Sequence, residues 1–245
     1  MKGKQLRGLF ITGTDTNVGK SIVTGGLAAI LRERGVKVGV MKPVETGCLQ
    51  EDGCFSPADG QFLKEMAGVD LPLEMIVPYR FKEPLAPSVA AAREGVEIDA
   101  NYLIKKFEEI SDHYDYILVE GAGGLLVPLC QRFFFIDLIK RLKLPLLVVS
   151  RTTLGTINHT LLTIRVARAE QVAVAGIVMN NLSPEKNIAT ETNPEIIAHL
   201  VDVPIWGVLP YQVALQPQFS YRGKIIELIR EHLTMEHLFN LILFQ

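Results

Sequence analysis

Short apolar segments that alternate with helical patterns constrain the fold of this 245-residue chain more than any other feature. Their hydrophobicity is mostly continuous, which indicates strands that are covered on both faces, as in a parallel sheet. The predicted strands are Gly8–Thr12, Val36–Met41, Tyr116–Val119, Leu144–Ser150, Val174–Met179 and Ile205–Leu209. The predicted helices are about Lys20–Arg34, Gly60–Ala67, Asp99–Ser111, Phe135–Leu142, Thr156–Ala169, Pro194–Leu200 and Gly223–Leu233. This alternation predicts an α/β fold in which right-handed crossovers join parallel strands.

The composition supports a large buried core and argues against several classes of protein. Hydrophobic residues make up 48% of the chain, charged residues make up 21%, and the net charge is −2. Because the chain has no basic stripe and no apolar stretch of ~18 residues, we expect neither a nucleic-acid partner nor a membrane span. The apolar part of the N-terminal segment is too short for a signal peptide, so we expect a cytoplasmic protein. No repeat or linker divides the chain, and we expect one domain over residues 1–245.

Three cysteines and three long connections complete this general description. Cys48, Cys54 and Cys130 are odd in number and lack CxxC spacing, which argues against a disulfide framework and against a zinc site. Connections of the length seen here are usually functional or disordered, and ligands of open α/β sheets bind beyond the carboxyl ends of the strands. The long connections are Pro43–Pro57, Pro78–Glu97 and Asn180–Asn193.

A glycine-containing loop with the sequence GTDTNVGKS, Gly13–Ser21, lies between the first predicted strand and the first predicted helix. Backbone N–H groups of such a loop can cradle phosphate oxygens, with Lys20 reaching the outer phosphates and Ser21 binding magnesium. The pattern departs from GxxxxGK[ST] because Thr14 stands where the first Gly is expected. A chance Gly-Lys-Ser turn is the alternative, but the flanking strand and helix favour a phosphate loop. The candidate ATP-binding residues here are Thr16, Asn17, Val18, Gly19, Lys20, Ser21 and Ile22.

Charged residues follow two further predicted strands. Glu120 comes directly after Tyr116–Val119, where a carboxylate can hold magnesium directly or through water. Behind it, Gly121, Ala122 and Gly123 allow a ligand to approach the backbone. Lys42 ends the second strand and is a candidate charge clamp on phosphate, although taken alone it is more typical of a solvated loop lysine.

Other polar residues have both a functional and an ordinary structural interpretation. Asp59 begins a helical pattern and is either a second magnesium ligand or a common acidic residue of a first helical turn. Asn180 and Asn181 follow a strand and can pair with a purine edge or form a turn. The run Leu154–His159 resembles a helix start whose free N–H groups could take a carboxylate, and we expect His159 to be structural.

Taken together, these residues resemble the dethiobiotin synthetase family. The resemblance covers about Leu9–Tyr211. The motif GTDTxVGK[ST] together with the motif VEGAGG is highly specific for this family. The family patterns are GTDTxVGK[ST] at Gly13–Ser21, KPVxTG at Lys42–Gly47, VEGAGG at Val119–Gly124, PL at Pro128–Leu129 and LGTINHTLLT at Leu154–Thr163.

The resemblance implies a P-loop NTPase-like three-layer sandwich with a mostly parallel, about seven-stranded sheet, and it implies a homodimer. It also implies a Mg²⁺- and ATP-dependent enzyme that acts on 7,8-diaminononanoate and carbon dioxide, supplied from bicarbonate. One amine forms a carbamate, ATP phosphorylates the carbamate, and the second amine closes the ureido ring of dethiobiotin with loss of phosphate.

The resemblance also implies roles for individual residues. Lys20 and Lys42 are catalytic and flank the carbamate and the γ-phosphate, and Ser21, Asp59 and Glu120 surround the magnesium. Thr46 contacts the diamine or the carbamate. The implied adenine-pocket residues are Asn180, Asn181, Leu209, Pro210 and Tyr211, and the implied receivers of the substrate carboxylate across the dimer interface are Gly155, Thr156, Ile157 and Asn158.

Three alternative functions share parts of these motifs. A ParA- or MinD-type switch ATPase carries a second lysine early in the loop, where this chain has Asp15. A nucleotide-sensing module has no need of Lys42 and Thr46, and a cobyrinic acid amidotransferase needs an additional glutaminase domain. Departures from the family at Asn17, Cys130 and Asn181 leave the nucleotide preference open.

Overall fold

The computed structural model describes residues 7–51, 54–185, 187–212 and 221–244. The strands are β1 Gly8–Gly13, β2 Val38–Met41, β3 Val44–Thr46, β4 Leu49–Glu51, β5 Cys54–Ser56, β6 Tyr79–Phe81, β7 Tyr116–Glu120, β8 Pro128–Cys130, β9 Phe133–Phe134, β10 Leu146–Arg151, β11 Val174–Asn180 and β12 Ile205–Leu209. The helices are α1 Lys20–Glu33, α2 Ala58–Ala67, α3 Leu73–Ile76, α4 Pro87–Arg93, α5 Ala100–Ser111, α6 Phe135–Leu142, α7 Thr156–Ala169, α8 Ile188–Leu200, α9 Tyr221–His232 and α10 Glu236–Phe244.

Six of these strands form the central sheet, in the order β12-β11-β10-β1-β7-β2, and every pairing in it is parallel. The strands β1 and β7 are buried at every position, as continuously apolar sequences predict for a sheet covered on both faces. One continuous cluster of buried apolar side chains extends through the sheet and its flanking helices. The α/β fold with a mostly parallel sheet is therefore confirmed, with six strands placed in this sheet among the described residues.

Helix α5 buries one face and has a recognisable start signal. In α5, Leu103, Phe107 and Ile110 are fully buried at a spacing of four and three residues, while Asp99 caps the helix by accepting the N–H of Asn101 at 2.8 Å. No helix within the described ranges is long and apolar enough to cross a membrane.

Several elements differ from the predictions made above. The loop predicted at Pro78–Glu97 contains β6 and α4, and the loop at Pro43–Pro57 contains β3, β4 and β5. Helix α8 begins six residues before the predicted start at Pro194 and carries that proline inside the helix. The start of α8 is marked by Asn187, whose side chain caps the helix by accepting the Thr190 N–H at 3.0 Å.

Candidate active site

The carboxyl ends of the strands β1, β2 and β7 border a cavity of about 590 Å³. This position agrees with the general rule that open α/β sheets bind ligands beyond their carboxyl ends. The side chains and backbone segments that line the cavity are those of Thr16, Asn17, Gly19, Lys20, Ser21, Ile22, Lys42, Glu45, Thr46, Asp59, Phe62, Glu120, Ala122, Gly123 and Ile225.

The loop between β1 and α1 is held in shape by backbone hydrogen bonds and by one asparagine. Its first residue, Gly13, donates its N–H to the Gly123 carbonyl at 3.1 Å. Asn180 at the end of β11 donates its Nδ2 to the Val18 carbonyl at 3.0 Å. Gly19 has a φ of 95°, and a Cβ there would lie 2.1 Å from Asn180 Nδ2, so both the backbone angle and the close packing require glycine.

Lys20 begins α1 and turns its buried ammonium group back over the loop. Its Nζ donates to the Asp15 carbonyl at 3.2 Å. Burial lowers the pKa of Lys20, and the nearby Lys42 ammonium lowers it further, while the Glu120 carboxylate opposes both effects. The Asp15 carboxylate accepts the Thr16 N–H at 2.7 Å and forms an ion pair with Arg151 from β10. The loop thus offers a cation and backbone donors to an anionic ligand.

Lys42 lies between two carboxylates at the bottom of the cavity. Its Nζ is 2.9 Å from Glu120 Oε1 and also bonds Asp59, while Ser21 donates its hydroxyl to the same Glu120 oxygen at 2.8 Å. Burial alone would lower the pKa of Lys42, but the Glu120 and Asp59 carboxylates raise it above the ordinary value. Although burial opposes the effect, the Lys42 ammonium holds the pKa of the Asp59 carboxyl below its ordinary value. The raised pKa of Lys42 and the lowered pKa of Asp59 both favour the charged forms of this pair.

The oxygen atoms of Ser21, Asp59 and Glu120 form a donor set suited to a hard divalent cation. Glu120 Oε2 is buried without a hydrogen-bond partner, so one carboxylate oxygen is free to bind such an ion. The described residues contain no group of three or more His, Cys, Asp or Glu side chains that could bind a metal by themselves. A magnesium ion that binds with a nucleotide needs few protein ligands, because phosphates and waters supply the rest. The residues present therefore fit a nucleotide-bound magnesium ion.

Comparisons with known proteins agree with this geometry. The family model described as an AAA domain matches residues 7–218. ATP-dependent dethiobiotin synthetase of Thermodesulfovibrio yellowstonii is 44% identical over 242 residues, which cover 96% of this chain and 99% of that protein. The same enzyme of Bacillus licheniformis is 40% identical and that of Bacillus subtilis strain 168 is 37% identical, each over 96% of this chain and at least 97% of the relative. The chain belongs to the dethiobiotin synthetase family.

Solved structures of other proteins share the fold of this dethiobiotin synthetase family member. The septum site-determining protein MinD of Pyrococcus horikoshii, complexed with Mg-ADP, aligns with a TM-score of 0.59 at 18% identity, covering 93% of this chain and 96% of that chain. MinD of Aquifex aeolicus aligns with a TM-score of 0.54, also at 18% identity, covering 92% and 96%. At this identity the likeness shows the fold alone, and the much closer sequence relatives favour a synthetase over a switch ATPase.

About half of the site residues predicted for a dethiobiotin synthetase meet in the cavity. All the predicted phosphate-loop residues except Val18 lie along its wall, as do Lys42, Thr46, Asp59, Glu120, Ala122 and Gly123. The predicted residues that do not line it are Val18, Gly121, Asn180, Asn181, Leu209, Pro210 and Tyr211, together with Gly155, Thr156, Ile157 and Asn158.

The structure gives these remaining residues other contacts. The side chain of Asn180 packs on Gly19 and supports the loop. The side chain of Asn181 accepts a hydrogen bond from Thr152 at 3.3 Å, and its backbone N–H bonds the Leu209 carbonyl at 2.9 Å. Gly155 precedes α7, whose N-terminal residue Thr156 donates its hydroxyl to the Arg151 carbonyl at 2.6 Å.

The sequence interpretation missed three cavity residues. Glu45 occupies the variable position of the motif KPVxTG, Phe62 lies in α2, and Ile225 belongs to a helix beyond the family resemblance. None of the three stands in a pattern that local sequence makes visible, since each reaches the cavity through packing between distant elements. Cys48 and Cys130 are free thiols, and the side chain of Cys54 lies outside the described part of the chain.

A second cavity of about 340 Å³ adjoins the first across Thr16 and Gly123. Its walls are mostly apolar and come from the loop that follows β7 and from α7, with the polar side chains of Asp15 and His159 among them. The Thr14 hydroxyl, which is buried without a hydrogen-bond partner, also belongs to this wall. A ligand that spans both cavities would have a polar end near Lys42 and an apolar stem along α7.

Proposed function

We propose that this chain forms dethiobiotin from 7,8-diaminononanoate, carbon dioxide and ATP, as its membership in the dethiobiotin synthetase family indicates. The observation that carries the proposal is the convergence of Lys20 and Lys42 with Ser21, Asp59 and Glu120 around one cavity. Before the ring can close, a carbamate must react with ATP, and both of these reactants are negatively charged. Two lysine ammonium groups and a divalent ion in one cavity reduce the repulsion between these two anions.

The chemistry runs in three steps. One amine of the substrate adds to carbon dioxide and loses a proton, which gives a carbamate. A carbamate oxygen attacks the γ-phosphorus of ATP, forms a carbamic–phosphoric anhydride and releases ADP. The second amine attacks the carbonyl carbon of this anhydride, expels phosphate and closes the five-membered ureido ring.

In this mechanism the protein positions and screens the reactants, and no protein group becomes covalently modified. Lys20 holds the β- and γ-phosphate oxygens, and Lys42 spans the γ-phosphate and the carbamate. Thr46, at the edge of the same cavity, contacts the carbamate or the amine. Since well-oriented intramolecular reactions gain about 7–11 kcal/mol from orientation alone, positioning can supply much of the rate enhancement.

We propose magnesium as the divalent ion, held by Ser21, Asp59 and Glu120. When bound, it neutralises negative charge on the β- and γ-phosphates. The unpartnered Glu120 oxygen and the oxygen-only donor set support this assignment. Ser21 already donates to Glu120, so the hydroxyl and the carboxylate are pre-arranged on the same side of the cavity.

Nucleotide and substrate contacts beyond the phosphates complete the proposal. The backbone of Thr16–Ile22 and the glycines after Glu120 receive the phosphates. Adenine binds near Asn180 and Asn181, beside Leu209–Tyr211, at the carboxyl ends of β11 and β12. The substrate carboxylate binds at the N-terminus of α7, Gly155–Asn158, of a second subunit.

We also propose that the chain is a single domain and functions as a cytoplasmic homodimer. Exposed leucines before α7, within α7 and in the loop after β7 support the dimer, because large exposed apolar surface usually marks an interface. Leu154 is 87% exposed, Leu126 is 57% exposed and Leu162 is 53% exposed. Light scattering on the purified protein checks the mass, and a monomer at micromolar concentration would contradict the dimer.

The test of the function is substrate-coupled ATP hydrolysis. We expect phosphate release that requires 7,8-diaminononanoate, bicarbonate and Mg²⁺ together, at one phosphate per dethiobiotin formed. A switch ATPase would hydrolyse ATP without the diamine, and a sensing module would bind ATP without turnover. Diamine-independent hydrolysis at the full rate would overturn the proposal.

A further inference from the structure

Glu45 is a buried carboxylate in the cavity wall whose two oxygens both accept backbone hydrogen bonds from α2. Only 5% of the surface of Glu45 is exposed to solvent. Glu45 Oε1 accepts the N–H of Asp59 at 2.9 Å, and Oε2 accepts the N–H of Gly60 at 2.9 Å. This carboxylate therefore caps the first turn of α2 from outside the helix.

Helix α2 needs such an external cap because its own sequence does not provide one. Its N-cap residue is Pro57, and no side chain at that position accepts a hydrogen bond. The first N–H groups of a helix have no partner within the helix, and the helix dipole favours a negative charge at this end. Glu45, reaching across from β3, satisfies two of these N–H groups and supplies the charge.

The packing around Gly60 leaves no room for a side chain at the start of α2. A Cβ at Gly60 would lie 2.2 Å from Val77 Cγ2 and 3.6 Å from Glu45 Oε2. Because Gly60 has no side chain, the helix start can pack directly against Val77, while Glu45 lies at ordinary van der Waals distance. The capped turn has little room to shift as long as Glu45 holds it.

The capped turn carries Asp59, the carboxylate that contacts Lys42 at the cavity. Glu45 itself is engaged by two N–H groups, so it could turn towards a cation only by abandoning both of them. It is therefore suited to act on a bound ion through Asp59. Glu45 is followed directly in β3 by Thr46, which also lines the cavity.

We propose that Glu45 is a positioning residue that fixes the first turn of α2, and thereby aims the Asp59 carboxylate at the magnesium ion of the bound nucleotide. This inference rests on the proposed function only in its use of Mg²⁺ with ATP. It assigns a role to the variable position of the KPVxTG motif. Members with a residue of another kind at this position need a different anchor for the same helix start.

The test compares nucleotide binding with and without magnesium in Glu45→Gln and Glu45→Ala. A non-hydrolysable ATP analogue is titrated calorimetrically into each protein, once in excess Mg²⁺ and once in EDTA. The ratio of the two dissociation constants measures how much the metal strengthens binding. We expect this ratio to fall about tenfold in Glu45→Ala and about threefold in Glu45→Gln, which keeps one acceptor oxygen, with binding in EDTA unchanged within twofold.

Two controls separate positioning from general loss of stability. Asp99→Ala removes the cap of α5, a helix whose residues do not line the cavity, and should lower the melting temperature without changing the metal ratio. In an Asp59→Asn background, Glu45→Gln should have no further effect on the ratio, because its effect passes through Asp59.

The outcomes are distinguishable. A wild-type metal ratio in both soluble Glu45 variants would overturn the positioning role while leaving the proposed function standing. A full additional effect of Glu45→Gln in the Asp59→Asn background would likewise contradict it. If the unmodified protein bound the analogue equally well in Mg²⁺ and in EDTA, the magnesium-dependent function itself would be wrong.

Discussion

Replacing Lys42 with methionine should reduce both stability and activity, because this lysine neutralises two carboxylates and also faces the reacting anions. Glu120, one of its partners, has a side chain that is 0% exposed, whereas the side chain of Asp59 is 45% exposed. Breaking a buried ion pair costs about 3–5 kcal/mol, and the exposure of Asp59 reduces its share. We therefore expect about 3 kcal/mol less stability without metal, or a melting temperature lower by roughly 6–12 °C.

Activity should fall by about 10³-fold in kcat/KM, or about 4 kcal/mol, since a fixed cation on the transferred phosphoryl group is lost. Lys20→Met is the matched comparison, because Lys20 Nζ bonds a backbone carbonyl rather than a carboxylate. It should lose similar activity and about 1 kcal/mol or less of stability. Added Mg²⁺ should restore part of the stability of Lys42→Met, since it supplies the missing positive charge.

Thermal unfolding with and without Mg²⁺, together with steady-state kinetics, checks both effects. Two results would refute the reasoning. One is a Lys42→Met enzyme with kcat/KM within threefold of the unmodified protein. The other is an equal melting temperature for Lys42→Met and Lys20→Met in the absence of metal, because that would mean that Lys42 does not neutralise the buried carboxylate.

Three further changes test other parts of the structure. Ser21→Ala removes a hydroxyl that donates to Glu120, so the Mg²⁺ concentration for half-maximal activity should rise about tenfold. An unchanged Mg²⁺ concentration for half-maximal activity would argue against Ser21 as a ligand. Gly176→Ala places a Cβ 2.0 Å from the indole nitrogen of Trp206, so it should lower the free energy of unfolding by about 1–3 kcal/mol in denaturant titrations and leave kcat unchanged. Burial raises the pKa of the Cys48 thiol to about 11, so its alkylation by iodoacetamide should rise about tenfold per pH unit up to pH 10, whereas a plateau near pH 9 would indicate an ordinary thiol.

The central sheet could be predicted from sequence because each of its strands is a continuous apolar run between turn residues. The predicted strand at Ile205–Leu209 has the observed ends, and the start of the strand predicted at Val36–Met41 differs by two residues from β2. Because the strands of the sheet are parallel, the residues that follow them lie at the same edge of the sheet. This is why Lys42 and Glu120, far apart in sequence, could be placed together in advance.

The rest of the site depends on contacts that local sequence does not encode. The short helix α4 follows a proline-containing turn and is too short for a periodic pattern to reveal. Glu45 lies on β3 but acts on a helix that begins thirteen residues later, and Ile225 reaches the cavity because α9 packs against α1. Such contacts arise from tertiary packing, which selects residues by shape and distance rather than by spacing along the chain.

The most direct test of the central claim follows one carbon atom. The purified protein is incubated with 7,8-diaminononanoate, Mg-ATP and ¹³C-labelled bicarbonate, and the product is analysed by mass spectrometry. We expect dethiobiotin with the label in its ureido carbonyl, formed in equal amount with ADP and phosphate. ADP and phosphate released without any labelled dethiobiotin would contradict it.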